Sequence, residues 1–239
     1  MLHRSGALAI ALSLMTVFSQ PRAEAQGASG FTVSFDTKLN LVGSSSPMKD
    51  ASQVVYWLTR TDHPAPPTPP ATHFRIVQQN KKFDPNFLVV PQGSTVDFPN
   101  LDPWFHNVFS QFRGKRFDLG LYQAGAQRSV KFDMAGVSYL FCNIHPDMTA
   151  IIVSLDSKYY AVSDKSGHAR IVGVPPGKYE LHVWYRDATP ESLKAAERPV
   201  EVDQDRALNA FTFQVKPQES DHKNKYGHDY DKTSLNPEY

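Results

Sequence analysis

A chain of 239 residues with 41% hydrophobic content is long enough for one large or two small domains with real cores, and two is the better expectation. Twenty-five basic against 24 acidic residues leave a formal charge of +1, which argues against nucleic acid or an acidic membrane surface as a partner.

Residues 1–25 carry His3 and Arg4, an apolar run from Ala7 to Phe18, and Ala23-Glu24-Ala25. This pattern predicts a signal peptide cleaved before Gln26, its apolar core too short to span a bilayer, and hence a periplasmic or secreted product without a membrane span. Alternating apolar residues (Phe31, Val33, Phe35; Val54, Tyr56, Leu58) predict two strands within residues 31–60. A pair of strands is not stable alone. The proline-rich stretch that follows, within residues 61–73, is a stiff linker unable to join a sheet. The first two strands are therefore expected to find their sheet later in the chain.

Residues 74–155 hold about eight short apolar runs, punctuated by Gly93, Gly114, Gly120, Gly125 and Gly136. Many short strands without a helical period predict a Greek-key β-sandwich. Val96/Phe98 and Val130/Phe132 alternate as strands with one buried face do. Two stretches of this region carry chemistry. The first is Phe98-Pro99-Asn100-Leu101-Asp102-Pro103-Trp104-Phe105-His106-Asn107, with His106 opening a returning strand. The second is Cys142-Asn143-Ile144-His145-Pro146-Asp147-Met148, which spaces a thiol, an imidazole and a thioether three residues apart directly after a strand. A soft sulfur, a borderline nitrogen and a weak thioether on one short loop suit copper cycling between two oxidation states. Cys142 is the sole cysteine, and a lone thiol in an oxidising compartment is vulnerable unless something holds it. Metal ligation is such a hold; a buried, inert core cysteine is the competing reading.

At these residues the chain resembles the cupredoxins, the blue-copper electron carriers of the plastocyanin, pseudoazurin and amicyanin kind. The gap between His145 and Met148 is most similar to the amicyanin loop, and Phe83, Pro85, Gly93, Val96, Phe98, Asn100 and Asp102 lead up to the first histidine as in that family. The resemblance covers residues 74–155. It implies one type 1 copper per chain, with His106, Cys142 and His145 as strong ligands and Met148 as the weak axial one. It also implies that Asn107 ties the two ligand loops together by hydrogen bonds, that His145 is the ligand nearest solvent, and that a redox partner protein docks nearby. Trp104, Phe105 and Ile144 are candidates for an apolar docking patch or for packed core. Asp147, a carboxylate inside the ligand loop, departs from the familiar carriers.

Beyond residue 155, Asp164-Lys165-Ser166-Gly167 and Pro175-Pro176-Gly177 punctuate a meander of hairpins. A short helix is predicted with Thr189 as cap and Pro190 at its first position, followed by strands at 198–202 and 207–215. Residues 156–216, taken with 31–60, resemble the carboxypeptidase regulatory-like, or transthyretin-like, β-sandwich. The fold class expected is all-β, a cupredoxin sandwich inserted into a second sandwich, a combination similar to exported proteins of the methylamine-utilisation type. Residues 217–239, charged and poor in apolar side chains, read as a disordered tail in which His222 and His228 are solvated.

His73, His168 and His182 lack ligand spacing and read as surface or core histidines. There is no Ser/His/Asp order, paired-carboxylate signal or phosphate-binding glycine loop, so an electron carrier is expected rather than an enzyme. The competing function is a non-redox copper-binding or surface-interaction module whose outer sandwich takes a protein or a carbohydrate.

Overall fold

The computed structural model describes residues 30–64, 72–111, 114–216 and 222–230. The export signal expected at 1–25 and most of the proline run, from 65 to 71, lie outside them. Two strands open the described residues, β1 (Phe31–Leu41) and β2 (Val55–Arg60). Ten follow: β3 (His73–Arg75), β4 (Val77–Gln79), β5 (Lys82–Asp84), β6 (Phe87–Pro91), β7 (Ser94–Pro99), β8 (His106–Ser110), β9 (Phe117–Tyr122), β10 (Gln127–Phe132), β11 (Gly136–Phe141) and β12 (Thr149–Leu155). The remainder is β13 (Tyr160–Val162), β14 (His168–Val174), β15 (Gly177–Trp184), the helix α1 (Pro190–Ala196), β16 (Arg198–Val202) and β17 (Arg206–Val215).

β1 and β2 do not form a hairpin with each other. β1 lies between β14, antiparallel, and β17, parallel, while β2 lies between β13 and β15. Their partners all come after residue 155, so the strands from β3 to β12 are threaded between the second and third strands of the outer sandwich. The driving force is apolar burial. Val33, Phe35 and Leu39 of β1 meet Tyr56 and Leu58 of β2, Tyr179 and Leu181 of β15 and Phe213 of β17 in one core. Each such side chain contributes about 1.5–3 kcal/mol when fully removed from water. β1 runs to Leu41, past the last apolar residue of its expected alternation, Phe35, because the inward pattern continues: Thr37 points inward, where its hydroxyl meets the Tyr56 hydroxyl at 2.7 Å. The Asp164–Gly167 turn presses against this strand. Gly167 has φ +87°, and a Cβ there would lie 2.2 Å from the Thr37 carbonyl oxygen, so only glycine fits. α1 starts as its sequence predicts, with Thr189 accepting from the Ser192 N–H and Pro190 at the first position.

The threaded strands build a five-stranded sheet, in the order β6-β12-β11-β8-β9, and a three-stranded one, β10-β7-β3. Val96, Phe98, Val130 and Phe132 from the second sheet share a core with Val108, Leu140 and Ile152 from the first, as their alternation predicts. β4 and β5 form a tight hairpin whose turn residues, Asn80 and Lys81, both have positive φ (56° and 55°). The two sandwiches meet at an apolar seam of Val55, Val89, Ile151, Val153 and Leu155. Phe87 stacks on Trp184 across it, and a cavity of about 520 Å³ opens beside Trp57, His182 and Trp184.

Candidate metal centre

His106 is the first residue of β8, and Cys142 follows directly on the end of β11. These strands are neighbours in the five-stranded sheet, with Phe141 opposite Phe109. Strand pairing therefore delivers His106 beside Cys142 although 36 residues separate them. The loop from Cys142 to Met148 is closed by two backbone bonds, Cys142 N–H to the Met148 carbonyl and Met148 N–H to the His145 carbonyl, each 3.1 Å. That closure folds His145 back over the sulfur. His106 Nδ1 lies 3.9 Å and His145 Nδ1 3.7 Å from Cys142 Sγ, and the three donor atoms fall within 4.8 Å of one another. Among the described residues, this is the group of three or more His, Cys, Asp or Glu side chains arranged to hold a metal ion. Met148 is fully buried and packs in the same core cluster as Cys142.

The protonation states favour ligation. Burial depresses both imidazoles: His145 is pushed down to about 4, helped by His106 and Lys81 nearby, and His106 is lowered despite its hydrogen bond to Asp102. Both rings are thus neutral at pH 7, with a lone pair to offer. Burial pushes the Cys142 thiol up, while the backbone groups of Asn107, Ile144, His145 and Asn143 pull the other way by stabilising a thiolate. A buried sulfur facing two neutral imidazoles, with backbone N–H groups turned toward it, is a set of donors matched to one ion. A soft or borderline metal fits that donor set.

The His106 tautomer is held from behind. Its Nε2 is 2.8 Å from Asp102 Oδ2, and the same carboxylate accepts the N–H groups of Asn80 at 2.6 Å and Lys81 at 2.8 Å. The left-handed turn between β4 and β5 aims both N–H groups at Asp102. Proton donation by Nε2 leaves Nδ1 unprotonated toward the sulfur, the arrangement in which a carboxylate orients a metal-binding histidine. Sequence reasoning placed Asp102 only in the approach to His106; its spacing of four residues before a ligand was the available signal.

Other expectations are redistributed. The Asn107 side chain bonds Asp118 Oδ1 at 2.7 Å and the Gly120 carbonyl at 3.1 Å, so it ties β8 to β9, and it is the Asn107 backbone that faces the Cys142 sulfur. The loop residue that could have met it, Asn143, spends its Oδ1 on the Lys225 N–H. His145, with 9% exposure against zero for His106 and Cys142, is the least buried of the three donors, though itself buried. Trp104 and Phe105 are exposed beside His106, together with Leu101 and Leu121, whereas Ile144 packs against the core. Asp147 points outward from the loop. His73, His168 and His182 stand apart from the site: His73 lies near Asp97, His168 pairs with Asp36, and His182 stacks on Trp57 at 5.1 Å.

Of the tail expected at 217–239, residues 222–230 are described: His222, Lys225 and Tyr230 bond to the loop from Cys142 to Met148 or to its neighbours, whereas Lys223 and residues 226–229, His228 among them, are exposed as expected. The hydrogen bonds of His222, Lys225 and Tyr230 run mostly to loop backbone and to Asp118, which a reading of apolar content does not register. His228 is held in the same segment by its N–H to Asn224 Oδ1.

The fold and the site together define an all-β protein of two sandwiches with a buried His-Cys-His cluster at one end of the threaded unit. No family model and no curated protein matches the chain. Among solved structures it is similar to a copper-containing nitrite reductase from Thermus scotoductus SA-01, at 22% identity and a TM-score of 0.34, over 41% of this chain and 25% of that one. It is also similar to an oxidised amicyanin variant (22% identity, TM-score 0.33, 35% of this chain and 82% of that one). A purple cupredoxin from Nitrosopumilus maritimus matches at 23% identity and a TM-score of 0.31, over 34% of this chain and 99% of that one. The chain spans only a quarter of the nitrite reductase's length. Among the described residues no helix is long and apolar enough to cross a membrane.

Proposed function

We propose that this chain is an exported one-electron carrier that binds a single copper ion through His106, Cys142 and His145, with Met148 as a weak axial ligand. The observation that carries the reading is the convergence of two Nδ1 atoms and one Sγ, all buried and within 4.8 Å of one another. Copper bound there supplies a one-electron couple whose geometry must suit both oxidation states. The protein's part is to keep the donors still. His106 is fixed by the strand and by Asp102, Cys142 by the strand and the loop closure, and His145 by the turn that closes on Met148. The surrounding core of Val96, Phe98, Leu140 and Ile152 excludes water from the sulfur side. His145, as the donor nearest solvent, and the exposed Leu101, Trp104, Phe105 and Leu121 beside His106 make that end the docking face for a redox partner.

In the same reading, residues 31–60 and 156–216 form a regulatory-like outer sandwich around a cupredoxin unit at 74–155, and residues 1–25 direct export. Addition of Cu(II) to the purified metal-free protein tests the function. The expected result is a stoichiometric complex with intense visible absorption, reversibly bleached by a reductant and lost in Cys142→Ser. A colourless protein that retains a free thiol contradicts it.

A further inference from the structure

The loop from Cys142 to Met148 is closed by two internal backbone bonds, and it carries two of the three donors. Residues 222–230 add contacts at three points along it. The Tyr230 hydroxyl donates to the Cys142 carbonyl at 2.7 Å, the Lys225 N–H to Asn143 Oδ1 at 3.0 Å, and His222 Nε2 to the Pro146 carbonyl at 2.5 Å. The His222 ring packs on Phe141, the residue before Cys142, with centroids 4.3 Å apart, and Tyr230 meets the His222 ring edge-on at 5.2 Å. The segment also reaches β9 and the end of β8, the strand that carries His106, where Gln111 Nε2 donates to the Lys225 carbonyl at 2.9 Å. Lys225 Nζ lies 2.8 Å from Asp118 Oδ2, and Asp118 Oδ1 accepts from Asn107, the neighbour of His106. Its own shape is set by a turn in which Asn224 Oδ1 accepts the N–H groups of Tyr226 and His228, and Gly227 adopts φ +80°.

We infer that residues 222–230 are a clamp that spans both ligand-bearing segments and holds Cys142 and His145 in place whether or not metal is bound. The inference rests on the copper reading for its purpose, since donors fixed in advance need little rearrangement when the oxidation state changes. Its geometry does not depend on that reading. Lys225 and Tyr230 are positioning residues that act through the loop and through Asp118. The clamp belongs to a part of the chain outside both sandwiches, so it is an added device rather than a consequence of the fold.

The test uses the metal-free full chain, a chain ending at Lys216, and the double variant Lys225→Met/Tyr230→Phe. The rate of Cys142 modification by a thiol reagent is compared with global unfolding by denaturant. A local opening equilibrium sets the first and leaves the second nearly unmoved. The clamp requires modification at least about 10-fold faster in both altered chains, and near the original rate in Lys225→Arg, which keeps the ion pair. In protein loaded with Cu(II), release to a chelator should rise by about 10–100-fold in the same variants. Modification rates within about twofold of the full chain in the double variant overturn the clamp, and that variant carries the test if the truncated chain fails to fold. Absence of copper binding in the full chain overturns the carrier reading alone, because the thiol rates still judge the clamp.

Discussion

Asp102 Oδ2 lies 2.8 Å from His106 Nε2, with both side chains buried, and the Asp102 carboxylate receives two further N–H groups from the Asn80-Lys81 turn. One carboxylate therefore joins the β4–β5 hairpin to the first donor of the site. Burial works to raise its pKa, but the Lys81 and Asn80 N–H groups and His106 outweigh it and hold the carboxyl ionised. Asp102→Ala strands the buried His106 Nε2–H and two part-buried N–H groups and is expected to cost about 1–3 kcal/mol of stability in the metal-free protein. It is also expected to lower copper affinity about 10–100-fold. Denaturant unfolding and competitive copper titration measure the two effects, and Asp102→Asn should show a smaller loss in each.

The Asp118 and Lys225 pair sets a pH window for the docked tail. Burial tends to raise Asp118, yet hydrogen bonds from Lys225, the Gly120 N–H and Asn107 more than offset it and leave the carboxyl below its usual range. Lys225 is raised, chiefly by its hydrogen bond to Asp118. Asp118 thus contributes stability above the unfolded carboxyl value of about 4, and loses it as pH falls toward the lower folded value. Lys225 contributes below about 10.4 and loses it as pH rises through a folded value above that. Both groups are partly exposed, so the pair is worth no more than about 1 kcal/mol. Amide hydrogen-exchange protection at Lys225 and Tyr226, taken relative to the intrinsic rate at each pH, should be greatest between these limits, and Asp118→Asn should abolish the acid-side change.

The apolar seam couples the two sandwiches. Val55 of the outer unit and Val89, Ile151, Val153 and Leu155 of the threaded one are buried together, with Trp184 stacked on Phe87 at 6.2 Å. Calorimetry of the metal-free protein should show one unfolding transition. Val55→Asp buries an unpaired carboxylate there and is expected to cost several kcal/mol and to split the transition in two.

Leu140 sits fully buried beneath the site on β11, two residues before Cys142. Leu140→Ala should cost about 2–5 kcal/mol through lost apolar burial and the void left behind. Because strand pairing still holds the donors, the visible band of the copper complex should persist. A large spectral change would show that core packing, rather than the backbone ladder, sets the site.

Alternation of apolar residues made most of the framework readable. Val96/Phe98 and Val130/Phe132 fall inward as their period requires, and the need of the first two strands for partners pointed to the threaded topology. The pattern faltered where polar groups do apolar work. Thr37 occupies an inward position of β1 only because the Tyr56 hydroxyl satisfies it, so the strand looks shorter in sequence than it is. The β4–β5 turn uses Asn80-Lys81 without glycine, which hides the hairpin. The candidate donors stood out in sequence because thiol, imidazole and thioether at close spacing are chemically unusual, and the structure brings His106, Cys142 and His145 together. Asp102 and the 222–230 segment were not, since a hydrogen bond to a ring nitrogen or to a carbonyl leaves no trace in hydropathy or spacing.

X-ray absorption at the copper edge of the loaded protein tests the central claim most directly. The account predicts one short sulfur and two imidazole nitrogens in the first shell, with the sulfur lost in Cys142→Ser and one nitrogen lost in His106→Ala. A shell without sulfur, or one unchanged by either substitution, would contradict it.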